Sequence, residues 1–485
     1  MQQQLSTLAR DSRALAVLAV PLALTQLAQV ALTTTDTVMM GALSTEALAA
    51  GGLALVVFNQ LRTMGVGLVT SVGNQVAAAA ARAERTAADT TGTTGTTGTT
   101  DGTDEDGAEV RGLVRAALAV ATIAGVAGAV LMILIGRAAT LLGQDAAVAD
   151  RAQSMLVALA PGLIPCLWFQ AVRQFTVGMR RPQALLRITI ASVAVNAALN
   201  WAFIHGTWGA PELGLTGIGV ATSSVHLLAF IALYASARRD PRLAPLLSLA
   251  FWRADARTVR RLLGLGTPIA ATYGSEAGFF FVTALMAGSF GPAALAAHTA
   301  VNQLVYIVFQ VAVGLSHAAS INVSRELALG AHDAARRIKN TALACGAAAT
   351  TLVGLAYLTV PQLVLRPYFD PDSAADQDAL HIATGLLVVA AVLQFFDCAQ
   401  NIGVGLLRGL DDTRSGLWIT LVGYWLAGLP VSWLLAYPLG GDTRGLWLGL
   451  LVGLATTAVL LLRRYGRALG ARADTDAGAP RTVAA

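Results

Sequence analysis

Charged side chains are scarce in this chain: Asp, Glu, Lys and Arg together make up 13% of its 485 residues. Soluble domains carry about 25%, so a globule surrounded by water is excluded. Cysteine is nearly absent. Cys166, Cys345 and Cys398 sit in apolar runs without metal-ligand spacing or paired external positions, and read as small buried apolar residues. No GxxxxGK[ST] run occurs, which argues against ATP as a direct energy source. His205, His226, His298, His317, His332 and His381 form no metal cluster, and His298 reads as structural. Neither a clustered nucleophile nor a metal motif is visible, so the chain is not read as an enzyme and no cofactor is expected.

What is present is hydrocarbon, with 55% of residues apolar. A helix of about 20 apolar residues crosses a bilayer. Twelve such runs lie near 14–40, 49–80, 111–137, 152–178, 186–206, 214–236, 262–289, 294–320, 337–365, 379–406, 414–438 and 443–464. They use most of the chain and predict an all-α integral membrane protein with twelve transmembrane helices. The first run is too long for a signal-peptide core and is expected to stay as the first span.

The formal charge of +5 does not mark a nucleic-acid binder, because the basic residues are spread over short loops. Arg82, Arg85, Arg180, Arg181, Arg238, Arg239, Arg336, Arg337, Arg463 and Arg464 all fall on one side if the amino terminus is inside. The opposite loops carry Asp370, Asp372, Asp376 and Asp378. This bias places both termini in the cytoplasm of a multi-pass protein of the cytoplasmic (inner) membrane.

A repeat organises the chain. At an offset of 247, Pro21 matches Pro268, Met39 matches Met286, Gly41 matches Gly288, and Gly67-Leu68 matches Gly314-Leu315. At an offset of 227, Phe169, Val177, Gly178, Arg181 and Arg187 recur as Phe396, Val404, Gly405, Arg408 and Arg414. Two like-oriented halves suit alternating-access transport. The expected division is an amino-terminal six-helix lobe over 1–236, a cytoplasmic connection over 237–258, a carboxyl-terminal lobe over 259–465 and a disordered tail over 466–485. The drop in offset falls on a Thr-Gly tract, expected to be a disordered insertion at about 86–108. Pro21, Pro161, Pro165, Pro268 and Pro430 interrupt spans, either as bending points or as static kinks.

Three carboxylates lie well inside apolar runs: Asp36, Glu276 and Asp397. Placing an Asp at a helix centre costs roughly 2.5–3.5 kcal/mol, so each needs a reason. Hydrocarbon favours the neutral form of a carboxyl, and a change of water access then moves a proton. The alternative is pairing with a buried arginine, for which Arg62 and Arg173 are available. Gln26, Gln29, Thr33 and Asp36 share one helix face. Gln394, Asp397 and Asn401 share another, as do Ser192, Asn196 and Asn200, and as do Thr272, Glu276 and Thr283. Such stripes face protein or a watery cavity, and their plain alternative is interhelical hydrogen bonding. Met39, Met40, Phe279, Phe280, Phe281, Met286 and Tyr306 offer surfaces for cationic aromatic compounds, or simply pack. At the repeat offsets Asp36 faces Thr283, Glu276 faces Gln29 and Asp397 faces Gln170, so the halves place their acids at non-equivalent positions.

Four segments resemble the MATE (multidrug and toxic compound extrusion) family, NorM-type branch. They are PLALTQLAQVALTTTDTVMMGALSTEALAA, NAALNWAFIHGTWGAPELGLTGIGVAT, GTPIAATYGSEAGFFFVTALMAGSFGPAALAAH and FFDCAQNIGVGLLRGLDDTR. The Thr-Gly insertion and SINVSRELALG depart from the family pattern. The resemblance covers about residues 12–465 and implies two pseudo-symmetric six-helix lobes around a central cleft. It implies antiport of organic cations or other toxic small molecules against Na⁺ or H⁺. It also implies that Asp36, Glu276 and Asp397 couple the ion, with Glu276 and Asp397 as the site of a monovalent cation. Gln29, Thr33, Gln170, Asn196, Asn200, Tyr306 and Gln400 are expected to line the substrate cavity.

The expected partners are a cationic amphipathic small molecule and the lipid bilayer, with a monomer sufficient to hold the cleft. The alternative is a flippase for a lipid-linked precursor, which calls for a large basic cavity. A membrane-embedded transferase, a receptor and a scaffold explain the intramembrane acids less well. A fluorescent protein fused to the carboxyl terminus is expected to fluoresce inside the cell, and alkaline phosphatase fused in the Asp370–Asp378 loop to be active. The opposite pattern would overturn the orientation.

Overall fold

Hydrocarbon offers peptide groups no hydrogen bonds, so a spanning chain must satisfy its backbone internally. The computed structural model describes residues 2–92, 101–138, 146–207, 209–374 and 376–478, and among these no strand occurs. The helices are α1 (Gln2–Leu43), α2 (Thr45–Gly92), α3 (Asp101–Arg137), α4 (Ala146–Gly178), α5 (Gln183–His205), α6 (Gly214–Arg239) and α7 (Ala256–Gly288). They continue with α8 (Pro292–Ala328), α9 (His332–Thr359), the short α10 (Pro361–Leu365), α11 (Gln377–Gly409), α12 (Thr413–Leu421), α13 (Leu429–Ala436) and α14 (Asp442–Gly478). Among the described residues, twelve stretches are long and apolar enough to cross a membrane, with α12 and α13 joined into one span by a π-helical segment, Val422–Gly428.

Helix extends beyond the expected boundaries. Residues 86–92 close α2 and 101–108 open α3, where disorder was expected; 93–100 of the Thr-Gly tract lie outside the described residues. The expected disordered tail is helical as far as Gly478, and 479–485 lie outside the described residues. The connection after α6 is folded too, with two 3-10 turns at Ala244–Leu246 and Phe251–Arg253 that pack on α3. Arg115 Nε donates to Ser248 Oγ at 3.1 Å, and Arg181 pairs with Asp240 at 3.1 Å. Asp255 caps α7 by accepting from Thr258 N–H at 2.9 Å and Thr258 Oγ1 at 3.0 Å. The Thr258 backbone amide, first among these bonds, holds the Asp255 carboxyl below its usual range.

The chain forms two compact units: an amino lobe of Leu24–Gly274, and a carboxyl lobe of Met1–Ala23 with Ser275–Ala485. The lobe boundaries therefore cut α1 and α7, rather than falling at the expected connection. Each lobe incorporates the first part of the other half's leading helix. Glycine explains how. In the amino lobe, a Cβ on Gly67 of α2 would stand 2.6 Å from Ala270 Cα of α7. In the carboxyl lobe, a Cβ on Gly314 of α8 would stand 2.7 Å from Ala23 N of α1. These contacts are the same contact repeated at an offset of 247, and each requires a backbone to lie directly on a backbone. Around them α2, α3, α4 and α6 pack into the amino lobe's core, and α8, α9, α11 and α14 into the carboxyl lobe's.

Overpacking a tight contact costs about 1–3 kcal/mol. Gly67→Ala and Gly314→Ala are each expected to lower the melting temperature of the purified protein. Gly52→Ala, where nothing lies within 4 Å of the new Cβ, should not lower it. Equal melting of all three would refute the backbone contact.

Candidate functional site

In the amino lobe, α5 carries Asn196 and Asn200 four residues apart, which stacks their amides on one helix face. Both donate to a single oxygen of Asp36 on α1: Asn196 Nδ2 at 2.6 Å and Asn200 Nδ2 at 2.8 Å from Oδ1. Thr222 Oγ1 of α6 donates to Oδ2 at 3.1 Å. Asp36 is 1% exposed, and both asparagines are fully buried. A buried carboxylate without partners would cost several kcal/mol, while a hydrogen bond to a charged group contributes about 1.5–3 kcal/mol. Three neutral donors thus hold Asp36 without an arginine. The pairing with Arg62 or Arg173, open from the sequence, is not formed. Beside Asp36 lies a cavity of about 50 Å³, lined by Gln29, Thr33, Arg62, Gln170 and Ser192 among others. A water needs about 10–15 Å³ measured this way, so the cavity admits a few waters or one small polar group.

In the carboxyl lobe, the two acids are joined by neutral side chains. Gln400 and Asn401 of α11 each donate to Asp397 Oδ1 at 3.2 Å. The Tyr424 hydroxyl lies 2.8 Å from Gln400 Oε1 and 3.2 Å from Glu276 Oε1 of α7. One hydroxyl carries one proton, so it fully serves one of these two acceptors at a time. Both contacts are complete when Glu276 itself carries a proton and donates to Tyr424 while Tyr424 donates to Gln400. The arrangement therefore registers whether Glu276 is charged.

Tyr424 is placed by a local irregularity. Pro430 has no N–H for Leu426 O, and the chain ahead of it widens: Leu429 N–H bonds Tyr424 O, five residues back. Trp425 Nε1 donates to Ser275 Oγ at 2.8 Å, and Phe279 stacks on the Tyr424 ring at 4.8 Å between centroids. Both contacts tie the widened turn to α7. No group of three or more His, Cys, Asp or Glu that could hold a metal occurs among the described residues. A monovalent cation here would take oxygens of Glu276, Asp397, Gln400 and Tyr424.

The other expected site residues divide. Gln29 and Thr33 reach the amino-lobe cavity, and Thr33 Oγ1 also bonds Gln29 O at 3.4 Å. Gln170, 2% exposed, accepts from Arg173 at 3.0 Å. Tyr306 is not brought to the acids; it is 43% exposed on α8 and stacks on Phe309. Thr272 and Thr283, striped with Glu276, only return bonds to Pro268 O and Phe280 O. Gln394 donates to Thr350 O rather than to the neighbouring acid. His298 accepts from Trp447 Nε1 at 3.2 Å in the core. Cys345 is only half-buried, unlike Cys166 and Cys398. Thr222 and Tyr424 went unassigned in the sequence, since neither span carries an acid and each residue's partner lies on another helix.

The MatE family model matches residues 106–202 and 268–434. The chain belongs to the MatE family. A probable multidrug resistance protein NorM of Pseudomonas aeruginosa is 34% identical over 450 residues, 93% of this chain and 88% of that protein. A multidrug resistance protein NorM of Burkholderia vietnamiensis is 33% identical, covering 95% of this chain and 94% of its own. Among solved structures, a eukaryotic MATE transporter matches with a TM-score of 0.79 at 19% identity, covering 96% of this chain and 99% of that one. A multidrug resistance MATE family transporter of the MOP superfamily, solved facing outward, matches with a TM-score of 0.81 at 14% identity, with 95% and 96% covered. These relatives are membrane transporters and not enzymes.

Against this MatE scaffold, the 227-residue offset exposes an inversion of charge. In α11, Gln400 donates to Asp397 three residues earlier. At the matching positions of α4, Arg173 donates to Gln170 three residues earlier. One lobe pairs an amide with an acid, and the other pairs an amide with a base. For the carboxyl-lobe network, Tyr424→Phe is expected to keep the fold while costing about 1–2 kcal/mol, the scale of a lost buried hydrogen bond. It should also uncouple Glu276 from Gln400. Unchanged melting temperature and unchanged transport would show that the hydroxyl contributes nothing.

Proposed function

We propose that this MatE transporter is a secondary antiporter that exports cationic, amphipathic toxic molecules in exchange for Na⁺ or H⁺. The observation that carries the reading is Asp36, an acid inside the spanning region that is held by Asn196, Asn200 and Thr222 and by no base. An acid locked to an arginine could not give up its charge without stranding the guanidinium. An acid held by neutral donors can be protonated, or exchange a cation, and keep a satisfied neighbourhood. Glu276 and Asp397 offer a second place, where neutral side chains bond the acids, Tyr424 reports the state of Glu276 and the charge of buried Arg408 also acts on Glu276. Ion binding drives export only if it favours one access state over the other, because equal affinity shifts nothing. The NorM names of the relatives support toxic small molecules as cargo.

On this reading the protein lies in the inner membrane with both termini in the cytoplasm, and one chain suffices. The flippase alternative calls for a large basic cavity. The intramembrane acids Asp36, Glu276 and Asp397 argue against one.

The test uses proteoliposomes loaded with a fluorescent cationic substrate, with a Na⁺ gradient and a pH gradient imposed separately. Wild type should respond to at least one gradient, and Asp36→Asn should lose about a hundredfold in rate or more while melting normally. Response to neither gradient removes the antiporter. Wild-type rates in Asp36→Asn remove the role of that residue.

A further inference from the structure

Two guanidinium groups inside the amino lobe take no part in the ion-coupling scheme. Arg62 lines the cavity beside Asp36, where its Nε donates to Asn59 Oδ1 at 3.3 Å, and it forms no ion pair among the described residues. Arg173 is 3% exposed and donates to two amide oxygens, Gln170 Oε1 at 3.0 Å and Gln26 Oε1 at 3.1 Å. The two groups are near enough for their charges to act on each other. A guanidinium does not give up its proton in proteins. Among the cavity-lining residues Asp36 is the one carboxylate, and its oxygens already accept from Asn196, Asn200 and Thr222. Positive charge is therefore in excess here, with Asp36 ionised or neutral. Fixed charge in a membrane interior is costly and marks a functional path by default.

We propose that the Arg62 end of the amino-lobe cavity is a subsite for an anionic oxygen group, the carboxylate of a zwitterionic substrate. The planar guanidinium presents paired donors that match a carboxylate's two oxygens. The side-chain amides of Gln29 and Asn59 line the same cavity and add N–H donors. The rest of the lining is largely apolar, with Leu32, Leu55 and Phe58 beside these donors. The cavity thus receives one charged end of a larger substrate. The inverted pairs sharpen the point: α11 presents Asp397 with Gln400, whereas α4 presents Arg173 with Gln170. The proposal extends the export reading and rests on it for the identity of the ligand as cargo.

The experiment uses a matched pair of probes, a zwitterionic rhodamine with a free carboxylate and its methyl ester, a simple cation. Binding to the purified full-length protein is followed by fluorescence polarisation. Wild type should bind the zwitterion more tightly than the ester. Arg62→Gln should weaken zwitterion binding roughly tenfold or more, the scale of a lost charge-assisted bond, and leave ester binding unchanged. Retained ester binding also shows that the variant is folded. Wild type with no preference for the zwitterion overturns the subsite, whatever the variant does. So does a variant that loses both probes alike or keeps both. The same probes in proteoliposomes separate the two readings: carboxylate-selective binding without transport of either probe sinks export and leaves the subsite standing.

Discussion

A charge inside hydrocarbon must find its hydrogen bonds within the protein, and that constraint shapes everything else in this molecule. Asp36, Glu276 and Asp397 all meet it through amides and hydroxyls. None of the three forms an ion pair among the described residues. The choice has a consequence. A buried acid–base pair is held by its own desolvation cost, since removing either charge strands the other at about 3–5 kcal/mol. Neutral donors impose no such lock. Their bonds weaken when the acid is neutralised, but no naked charge remains, so the acid's ionic state can change during a cycle.

Much of this arrangement is legible in the chain. Asn196 and Asn200, spaced by four in an otherwise apolar run, announce a shared face, and the buried Asp36 announces a demand for donors. What joins them is not legible, because Asp36 lies 160 residues from Asn196 and several helices could have filled the role. Tyr424 is harder still. It sits in a π turn, whose wider spacing a 3.6-residue period does not anticipate. Periodicity places residues on ideal helices, and the site uses a departure from one. Tyr306, expected to line the substrate cavity, stands 43% exposed on α8 and stacks on Phe309.

The compact units divide the chain elsewhere than at its polar connection, for a related reason. A chain reader divides at the polar connection over 237–258, since exposed linkers usually separate domains. Here the connection folds against α3, and the division runs through α1 and α7 at Ala23 and Gly274. The signal was present in the repeat itself. Gly67 and Gly314 match because each receives a helix backbone, Ala270 in one lobe and Ala23 in the other, and those two alanines match at the same offset. A repeated glycine was a packing contact awaiting its partner.

This explains why the two halves resemble each other in one respect and differ in another. A backbone-on-backbone contact favours the smallest residue, and divergence at its positions costs about 1–3 kcal/mol. Polar positions are bound more loosely, since amide, acid and base can each be satisfied by one good neighbour. Asp397 with Gln400 and Gln170 with Arg173 occupy the same helical geometry, each bonded across three residues, yet one is acidic and the other basic. Divergence in charge is therefore tolerated where each charge keeps a hydrogen-bonded neighbour, and it changes the chemistry of each lobe outright. A single repeated scaffold can in this way hold the acids Glu276 and Asp397 in one lobe and, in the other, Asp36 together with Arg62 and Arg173.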